Sequence, residues 1–574
     1  MCNRPTQKYS ENTYLGLDLG SQKLKAVILN SKLEIIFSTQ VHFDVDFPEY
    51  GTTGGAKQGD NPDEYLVNPT MWVKALHVVF STLHSQGADL HSVAAISGSA
   101  QQHGSVFWSE DGFKRLCGLN CLFKLHEQLN EYAFSVLQSP MWMDGSTGQQ
   151  CSEMERTIGG ALEMSAITGS KCYARFTGPQ IRKIYQTQPE KYENTVRISL
   201  VSSFLTSVLL GTVAAIDFSD GSGMNLLDIR KKKWSSECLD ACAPDLARRL
   251  MKPIAPNRLQ GRVAKYFVER WNFRPDCMVL SCTGDNPSSL AGMLLEKNSL
   301  ILSLGTSDTI IMHLKHAPKL EEGHVLCHPT IVDEYMGLLC FRNGSLVRQT
   351  VCQEVANGSW NTFNHMLETT PMGNYGNIAV HFHDREIIPL AKGILKWNKD
   401  TDPSSKQSRL GLKQFEEPAW EARAVVEGQM MHHRIIASEM GFHFDSDTKI
   451  IVIGGASKNR HILQIVADVF NASVYETSNA EMALLGAAYR ARYAFYEYRE
   501  ANCSCRRCKM PKGRRPKLSY TEFFRQALPN TLKLVASPTP GCEVYEPLLP
   551  RYEKMTYILA ARTAFSDYQI VTAS

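Results

Sequence analysis

The tightest constraint on this chain is a pattern that occurs twice. Leu17-Asp18-Leu19-Gly20-Ser21 runs into an apolar segment at Ala26–Leu29, and Leu302-Ser303-Leu304-Gly305-Thr306 runs into Ile310, Ile311 and Met312. Each copy predicts a strand, a tight turn at glycine and a second strand, because alternating apolar residues flank a glycine followed by a hydroxyl residue. A match of this length also arises by coincidence. Its position near the start of each half of the chain favours a duplication, and so a fold with two related halves.

A third glycine turn lies in the second half. Lys449–Ile453 is a short apolar strand, Gly454-Gly455-Ala456 a turn, and Ser457 an expected N-cap for a helix carrying Ile462, Leu463, Ile465, Val466 and Val469. Such a turn brings backbone N–H groups close to a ligand at the helix N-terminus; an ordinary strand-to-helix connection is the plainer alternative. Amphipathic helices are predicted over Trp72–Leu83 and Ala419–Met440. His432 and His433 on the latter diverge by about 100° and cannot share one metal, so they are read as surface or packing residues. The stretch Gly51–Asn68 is a long loop that needs a functional or covering role. Strands alternating with helices imply an α/β protein.

The sharpest chemical segment is Cys282-Thr283-Gly284-Asp285-Asn286-Pro287. Met278–Leu280 ends a strand, Asn286 fits an N-cap and Pro287 the first helical position. Asp285 then sits at a strand-to-helix corner, where side chains of α/β proteins face the ligand crevice. A carboxylate there takes a proton from an alcohol or holds a cation; taken alone, it also suits capping of the helix. Gln101-Gln102-His103-Gly104 follows the strand-like Val93–Ile96 and offers amides and an imidazole suited to hydroxyls, although a lone His also satisfies backbone carbonyls. Arg175, between Tyr173 and Phe176, is a candidate donor to a sugar hydroxyl or one half of a surface ion pair. There is no G-x-x-x-x-G-K-[ST] and no protein-kinase glycine-loop set, so nucleotide chemistry must use another fold.

Composition excludes several classes. With 43% hydrophobic and 21% charged residues the chain is globular, and no run of about 18 apolar residues spans a membrane. The N-terminal ten residues are polar, without the apolar core of a signal peptide. Formal charge is +3, so no global field points to nucleic acid or an anionic membrane. The 16 cysteines are scattered over a long chain, which suits a reducing cytoplasmic setting with thiols as small buried hydrophobes. Seven basic residues between Arg506 and Lys517 form a local exception. Cys503, Cys505 and Cys508 beside them lack a nearby fourth ligand, which favours a solvated loop over a zinc site.

Taken together, the segments Leu15–Lys25, Phe43–Gly55, Ser97–Ser105, Trp142–Ser146, Tyr173–Ile184, Ser199–Phe204, Asp217–Leu227, Thr283–Met293, Ser303–Thr309 and Gly454–Arg460 give the chain a resemblance to the FGGY family of carbohydrate kinases. It runs from Tyr14 to about Tyr552. The resemblance implies two ribonuclease-H-like lobes of the actin/hexokinase type flanking a deep cleft, residues 1–287 and 288–574, the second with a basic Cys-containing insertion near 501–520. It implies Mg-ATP across the mouth and a sugar, D-xylulose, below it. By the same carry-over Asp285 is the general base, and His103, Arg175, Asp285 and Asn286 bind the sugar. Asp18 holds Mg²⁺, Gly20, Ser21, Gly305 and Thr306 line the phosphates, and Gly454, Gly455, Asn459 and Trp360 contact the nucleotide. Another ketose or polyol, such as ribulose or glycerol, is the near alternative, and a non-catalytic actin-like ATP-binding regulator the distant one. No nucleic-acid or membrane partner is expected, and the assembly is read as monomer or homodimer.

Overall fold

The computed structural model describes residues 11–573 apart from 296–297, 321, 478–480, 503–517, 526 and 529–531. The basic run and its three cysteines lie outside the described residues.

In the first half, β1 (Thr13–Leu19), β2 (Lys23–Leu29) and β3 (Ile35–His42) form an antiparallel meander. Helix α1 (Pro69–Ser85) leads into β4 (Val93–Ala100), which pairs in parallel with β1. Later come α2 (Val201–Leu210), β5 (Leu259–Arg262), β6 (Met278–Leu280) and the two-residue β7 (Thr283–Gly284), giving a sheet ordered β5-β6-β4-β1-β2-β3 with β7 beside β4. Period-2 alternation assigns the two faces of the central hairpin. Leu15, Leu17, Leu19, Leu24, Ala26 and Ile28 pack with Trp72 of α1 and Phe204 of α2, whereas Val27 and Leu29 face the other way.

Helix α3 (Asp285–Met293) carries the chain into the second half. There β8 (Ser299–Leu304), β9 (Asp308–Leu314), β10 (His324–Cys327) and β11 (Tyr335–Phe341) precede α4 (Ser345–Ala356), α5 (Trp360–Thr369) and α6 (Pro418–Glu439). Strand β12 (Lys449–Ile453), α7 (Arg460–Phe470), β13 (Ser473–Thr477), α8 (Met482–Asn502) and β14 (Leu532–Ala536) follow. The sheet order is β10-β11-β9-β8-β12-β13-β14. Its first hairpin is antiparallel and β12 joins β8 in parallel, the relation of β4 to β1. The two halves thus repeat one topology, and the turns Gly20–Gln22 and Gly305–Ser307 occupy the same place in each. This is the two-lobed α/β architecture that the resemblance implies, and the repeated pattern marks the first hairpin of each lobe.

The lobes are joined by helices that change sides. Helix α8 belongs to the second half by sequence, yet Leu484, Leu485 and Ala488 pack on Val27 and Leu29 of the first sheet. Helix α3 places Leu290 and Met293 on Ile301, Ile311 and Ile451 of the second. The two helices cross where glycine removes the side chains: a Cβ on Gly486 would lie 1.9 Å from the carbonyl O of Ser288, and one on Gly292 2.2 Å from that of Met482. Gly486→Val is therefore expected to lower the urea midpoint of unfolding. The cost is about 1–3 kcal/mol or more, because backbone on both sides must move apart; an unchanged midpoint would contradict this close crossing.

Several element ends differ from the sequence reading. Helix α3 begins at Asp285 with Gly284 as N-cap, two residues ahead of the expected Asn286 cap, and from the first helical position Asp285 Oδ1 accepts the Asn286 N–H at 2.8 Å. Asn459, not Ser457, caps α7, since Gly455–Lys458 form a short 3-10 turn first. His432 and His433 are both buried, packed on Phe341.

Candidate active site

Strand register builds the floor of the site. Asp18 in β1 stands opposite Ser99 in β4, and Ser99 opposite Thr283 in β7, so the three side chains share one face at the strand ends. Among the described residues Asp18 Oδ1 and both polar atoms of the Gln101 amide are buried without a hydrogen-bond partner, and the Ser99 hydroxyl lies against Asp18 and that of Thr283 against Asp217. Native proteins rarely leave buried polar atoms unpaired, and a group of them marks a place that a ligand completes. Burial raises the Asp18 carboxyl above its ordinary range.

Asp285 projects from the first turn of α3 into the same space. Its Oδ1 accepts from the Asn286 backbone N–H at 2.8 Å and from Asn286 Nδ2 at 3.2 Å. Oδ1 is thus held by Asn286, and among the described residues no side chain hydrogen-bonds Oδ2. Burial and then the Asp18 charge push the Asp285 carboxyl up to about 7. A carboxylate poised there is a far better base at neutral pH than an ordinary aspartate. Asn286 Nδ2 also donates to Gln102 Oε1 at 2.9 Å, which ties α3 to the segment following β4.

His103 takes a left-handed backbone conformation with φ 70° and hydrogen-bonds through Nδ1 to the Gly223 carbonyl at 3.0 Å. That acceptor requires Nδ1 to carry the proton, so Nε2 is left as an acceptor. Burial and the Arg175 charge lower the imidazole to about 3, keeping it neutral. Its ring stacks on Phe176 at 4.3 Å. Arg175 lies over Tyr173 and Phe176, and its Nη2 donates to His324 Nε2 at 2.7 Å. His324 belongs to β10, so the second half of the chain reaches the Arg175 side of the site. The contact is reinforced by Val325 N–H donating to the Gly169 carbonyl at 2.8 Å.

The two hairpin turns and the Gly454 turn form the remaining edges. Gly20 N–H closes its turn on the Lys23 carbonyl at 3.0 Å, and Ser21 Oγ accepts from Trp142 Nε1 at 2.7 Å. The long loop after Gly51 covers this hairpin: a Cβ on Gly55 would lie 1.8 Å from the Ser21 carbonyl. In the second hairpin the Gly305 carbonyl accepts from Ser345 N–H at 2.9 Å, and Thr306 is exposed. Gly454, at φ 90°, passes so close to β8 that a Cβ would meet the Leu304 carbonyl at 2.6 Å. Gly455 is exposed beside it. Asn459 caps α7 and donates to Asn364 Oδ1 at 2.8 Å, bringing in the helix that begins at the 40%-exposed Trp360.

The expected sugar-side residues His103, Arg175, Asp285 and Asn286 are thus drawn together, and Gly454 meets the end of β8 just before Gly305, while Gly20 and Ser21 stand on the first sheet beside Trp142 and Gly55. Sequence reasoning gives Ser99, Thr283, Phe176, Asp220 and His324 no role of their own, whereas Gln102 is one of the amides it picks out after β4. His324 lies 149 residues from Arg175 and outside any recognisable motif. Asp220 and Ser99 lie inside matching segments, where nothing local distinguishes them from neighbouring small polar residues.

The N-terminal domain model of the FGGY family of carbohydrate kinases matches residues 13–119 and 135–292, and the C-terminal domain model matches residues 300–495. The chain belongs to the FGGY family. It is thereby a sugar kinase with ATP as phosphoryl donor. A rat protein named xylulose kinase is 42% identical over 542 residues, covering 94% of this chain and 96% of its own. Xylulose kinase 2 of Arabidopsis thaliana is 42% identical over 492 residues, covering 84% and 88%. Among solved structures, ligand-bound xylulose kinase from Lactobacillus acidophilus aligns with a TM-score of 0.73 at 18% identity, over 96% of this chain and 99% of that one. Plasmodium falciparum glycerol kinase with ADP aligns with a TM-score of 0.72 at 15% identity, over 96% and 98%. These structural likenesses concern the fold. Among the described residues of this FGGY kinase no helix is long and apolar enough to cross a membrane.

Proposed function

We propose that this kinase phosphorylates D-xylulose to D-xylulose 5-phosphate, with Asp285 as general base. The observation that carries the chemistry is the Asp285 carboxylate, half-buried, with Oδ1 held by Asn286 and no side chain of the described residues hydrogen-bonding Oδ2. The choice of sugar is supported by the names of relatives that share 42% of their residues over most of this chain.

Oδ2 takes the proton of the C5 hydroxyl as its oxygen bonds to the γ-phosphorus of ATP, and ADP leaves with the electron pair of the broken P–O bond. Positioning and charge stabilisation supply most of the acceleration in such transfers. Neutral His103 accepts a sugar hydroxyl at Nε2, Arg175 donates from its remaining N–H groups, and Asn286 offers Oδ1. Backbone groups of the turns at Gly20-Ser21, Gly305-Thr306 and Gly454-Gly455 face the phosphates, with Asn459 and Trp360 toward the nucleoside. Asp18, with an unpartnered Oδ1 and the Ser99 hydroxyl against its carboxyl, fits a Mg²⁺ ion. Mg²⁺ is usually held by one or two carboxylates, waters and phosphates rather than by a protein cage, and it would offset charge on the transferring phosphoryl group. Among the described residues no group of three acidic, His or Cys side chains makes such a cage.

The test is coupled ADP release with D-xylulose, D-ribulose, L-xylulose and glycerol. Fast turnover confined to D-xylulose is the expected result. Comparable rates on another sugar would overturn the substrate assignment, and ATP binding without turnover on any of them would favour a regulator.

A further inference from the structure

Asp220 is a buried acid that the reaction as described does not use. It is 1% exposed and lies under the corner that presents the base: a Cβ on Gly284 would sit 2.7 Å from its Oδ1. Its backbone N–H is held by Asp217 Oδ1 at 2.8 Å, and its Oδ2 hydrogen-bonds Ser202 Oγ. Its Oδ1 accepts from Gln102 Nε2 at 3.4 Å. Gln102, itself 3% exposed, then accepts at Oε1 from Asn286 Nδ2, and Asn286 donates to Asp285 Oδ1.

A side-chain amide has one donor end and one acceptor end. Burial and then the Asp217 charge push the Asp220 carboxyl up to about 8, and its proton belongs on Oδ2, where the Ser202 hydroxyl can accept it, so Oδ1 stays an acceptor toward Gln102. An acceptor oxygen at the start of this chain therefore decides which way each following amide points. We propose that Asp220 is a positioning residue for the base: by accepting from Gln102 it sets the sense of the Gln102 and Asn286 amides, so that Asp285 Oδ1 is held and Oδ2 stays free. Without that acceptor, Gln102 can turn its NH₂ toward Asn286, whose carbonyl then faces the Asp285 carboxylate and drives it from its place. The inference rests on Asp285 being the base. An asparagine at 220 still presents an oxygen to Gln102 and an NH₂ to Ser202, so it preserves the direction without the charge.

The test measures kcat, sugar KM and thermal midpoint of the full chain for Asp220→Ala, Asp220→Asn and Gln102→Met, each also in an Asp285→Asn background. Asp220→Ala and Gln102→Met are each expected to lower kcat about 10- to 100-fold, the size of effect that sub-ångström misplacement of reacting groups produces. Sugar KM is expected to rise as well, since the turned Asn286 amide no longer presents Oδ1 to the sugar, and the Asp285→Asn background separates the loss of the base from the loss of binding. Asp220→Asn should recover most of the Asp220→Ala loss. The double variant Asp220→Ala/Gln102→Met, measured alongside, should lose no more than the worse single, because both act through one chain. In the Asp285→Asn background neither should reduce the residual rate. Parental kcat in Asp220→Ala, additive losses, or a further fall in the Asp285→Asn background would overturn the proposal. So would a fall in kcat that tracks a lowered thermal midpoint, the signature of a merely structural role. If Asp285→Asn itself turns over at the parental rate, the base reading fails, and this proposal with it. Should Asp220→Ala not fold, Gln102→Met decides alone, and parental kcat there overturns the proposal.

Discussion

Asp285→Asn lowers turnover about 10²- to 10⁴-fold, the contribution of a positioned general base, while sugar and nucleotide still bind. The asparagine keeps the shape and the oxygen that accepts from Asn286, so folding is spared and the loss reads on proton transfer. The parent's pH profile provides a second check. Burial and Asp18 hold the Asp285 carboxyl near 7, and only the ionised form accepts a proton. Activity at subsaturating sugar should therefore rise with pH and reach half its plateau near pH 7. An ordinary carboxylate, titrating near pH 4, would leave the rate flat across that range. A flat acid limb, or turnover surviving in Asp285→Asn, would remove Asp285 from the role. The sign for stability is opposite. The folded state holds the Asp285 proton to higher pH than the unfolded chain does, so this group destabilises the fold as pH rises from about 4 through 7. The same ionisation that switches the base on thus carries a stability penalty.

Arg348→Met is expected to cost about 3–5 kcal/mol of stability, the usual result of stranding one partner of a buried ion pair. Arg348 and Asp308 are almost completely buried, with Nη1 to Oδ2 at 2.9 Å and Nη2 to Oδ1 at 3.2 Å. Arg348 Nη1 also donates to Gln429 Oε1 at 2.7 Å, and Gln429 Nε2 returns to the Asn343 carbonyl at 2.8 Å. Burial already raises the Asp308 carboxyl despite its arginine. With Arg348 gone, Asp308 must ionise in a dry site or take up a proton. Because Asp308 directly follows the Gly305–Ser307 turn, KM for ATP should rise in step. Urea unfolding of Arg348→Met beside the charge-free pair Asp308→Asn/Arg348→Met tests the cause. The double variant should recover part of the loss; equal destabilisation of both would mean that packing rather than the stranded charge is responsible.

How much of this was legible in the sequence depends on range. Strand β1, its turn at Gly20, the matching turn at Gly305 and the Gly454 turn all follow from alternation and glycine within about ten residues, and alternation is a property of adjacent positions. Asp285 could be placed at a strand-to-helix corner on the same grounds. Its helix starts two residues early, with Gly284 as cap and Asp285 in the first turn, where its Oδ1 accepts the Asn286 N–H, a detail of side-chain geometry. His432 and His433 could be excluded as a metal pair from helical spacing, but their burial depended on which face met Phe341.

The sequence by itself determined the strand-turn-strand hairpin that opens each half, its glycine turn and the short polar segments to which the chemistry is assigned, because turn and strand signals are local. Only the tertiary structure decided that α8 returns to the first sheet across Gly486. It also decided that Asp18, Ser99 and Thr283 share one face through parallel register, that His324 of β10 receives the Arg175 guanidinium, and that Asp220 lies beneath the base. These relations join residues far apart in the chain through crossovers and strand register, which no single stretch of sequence records.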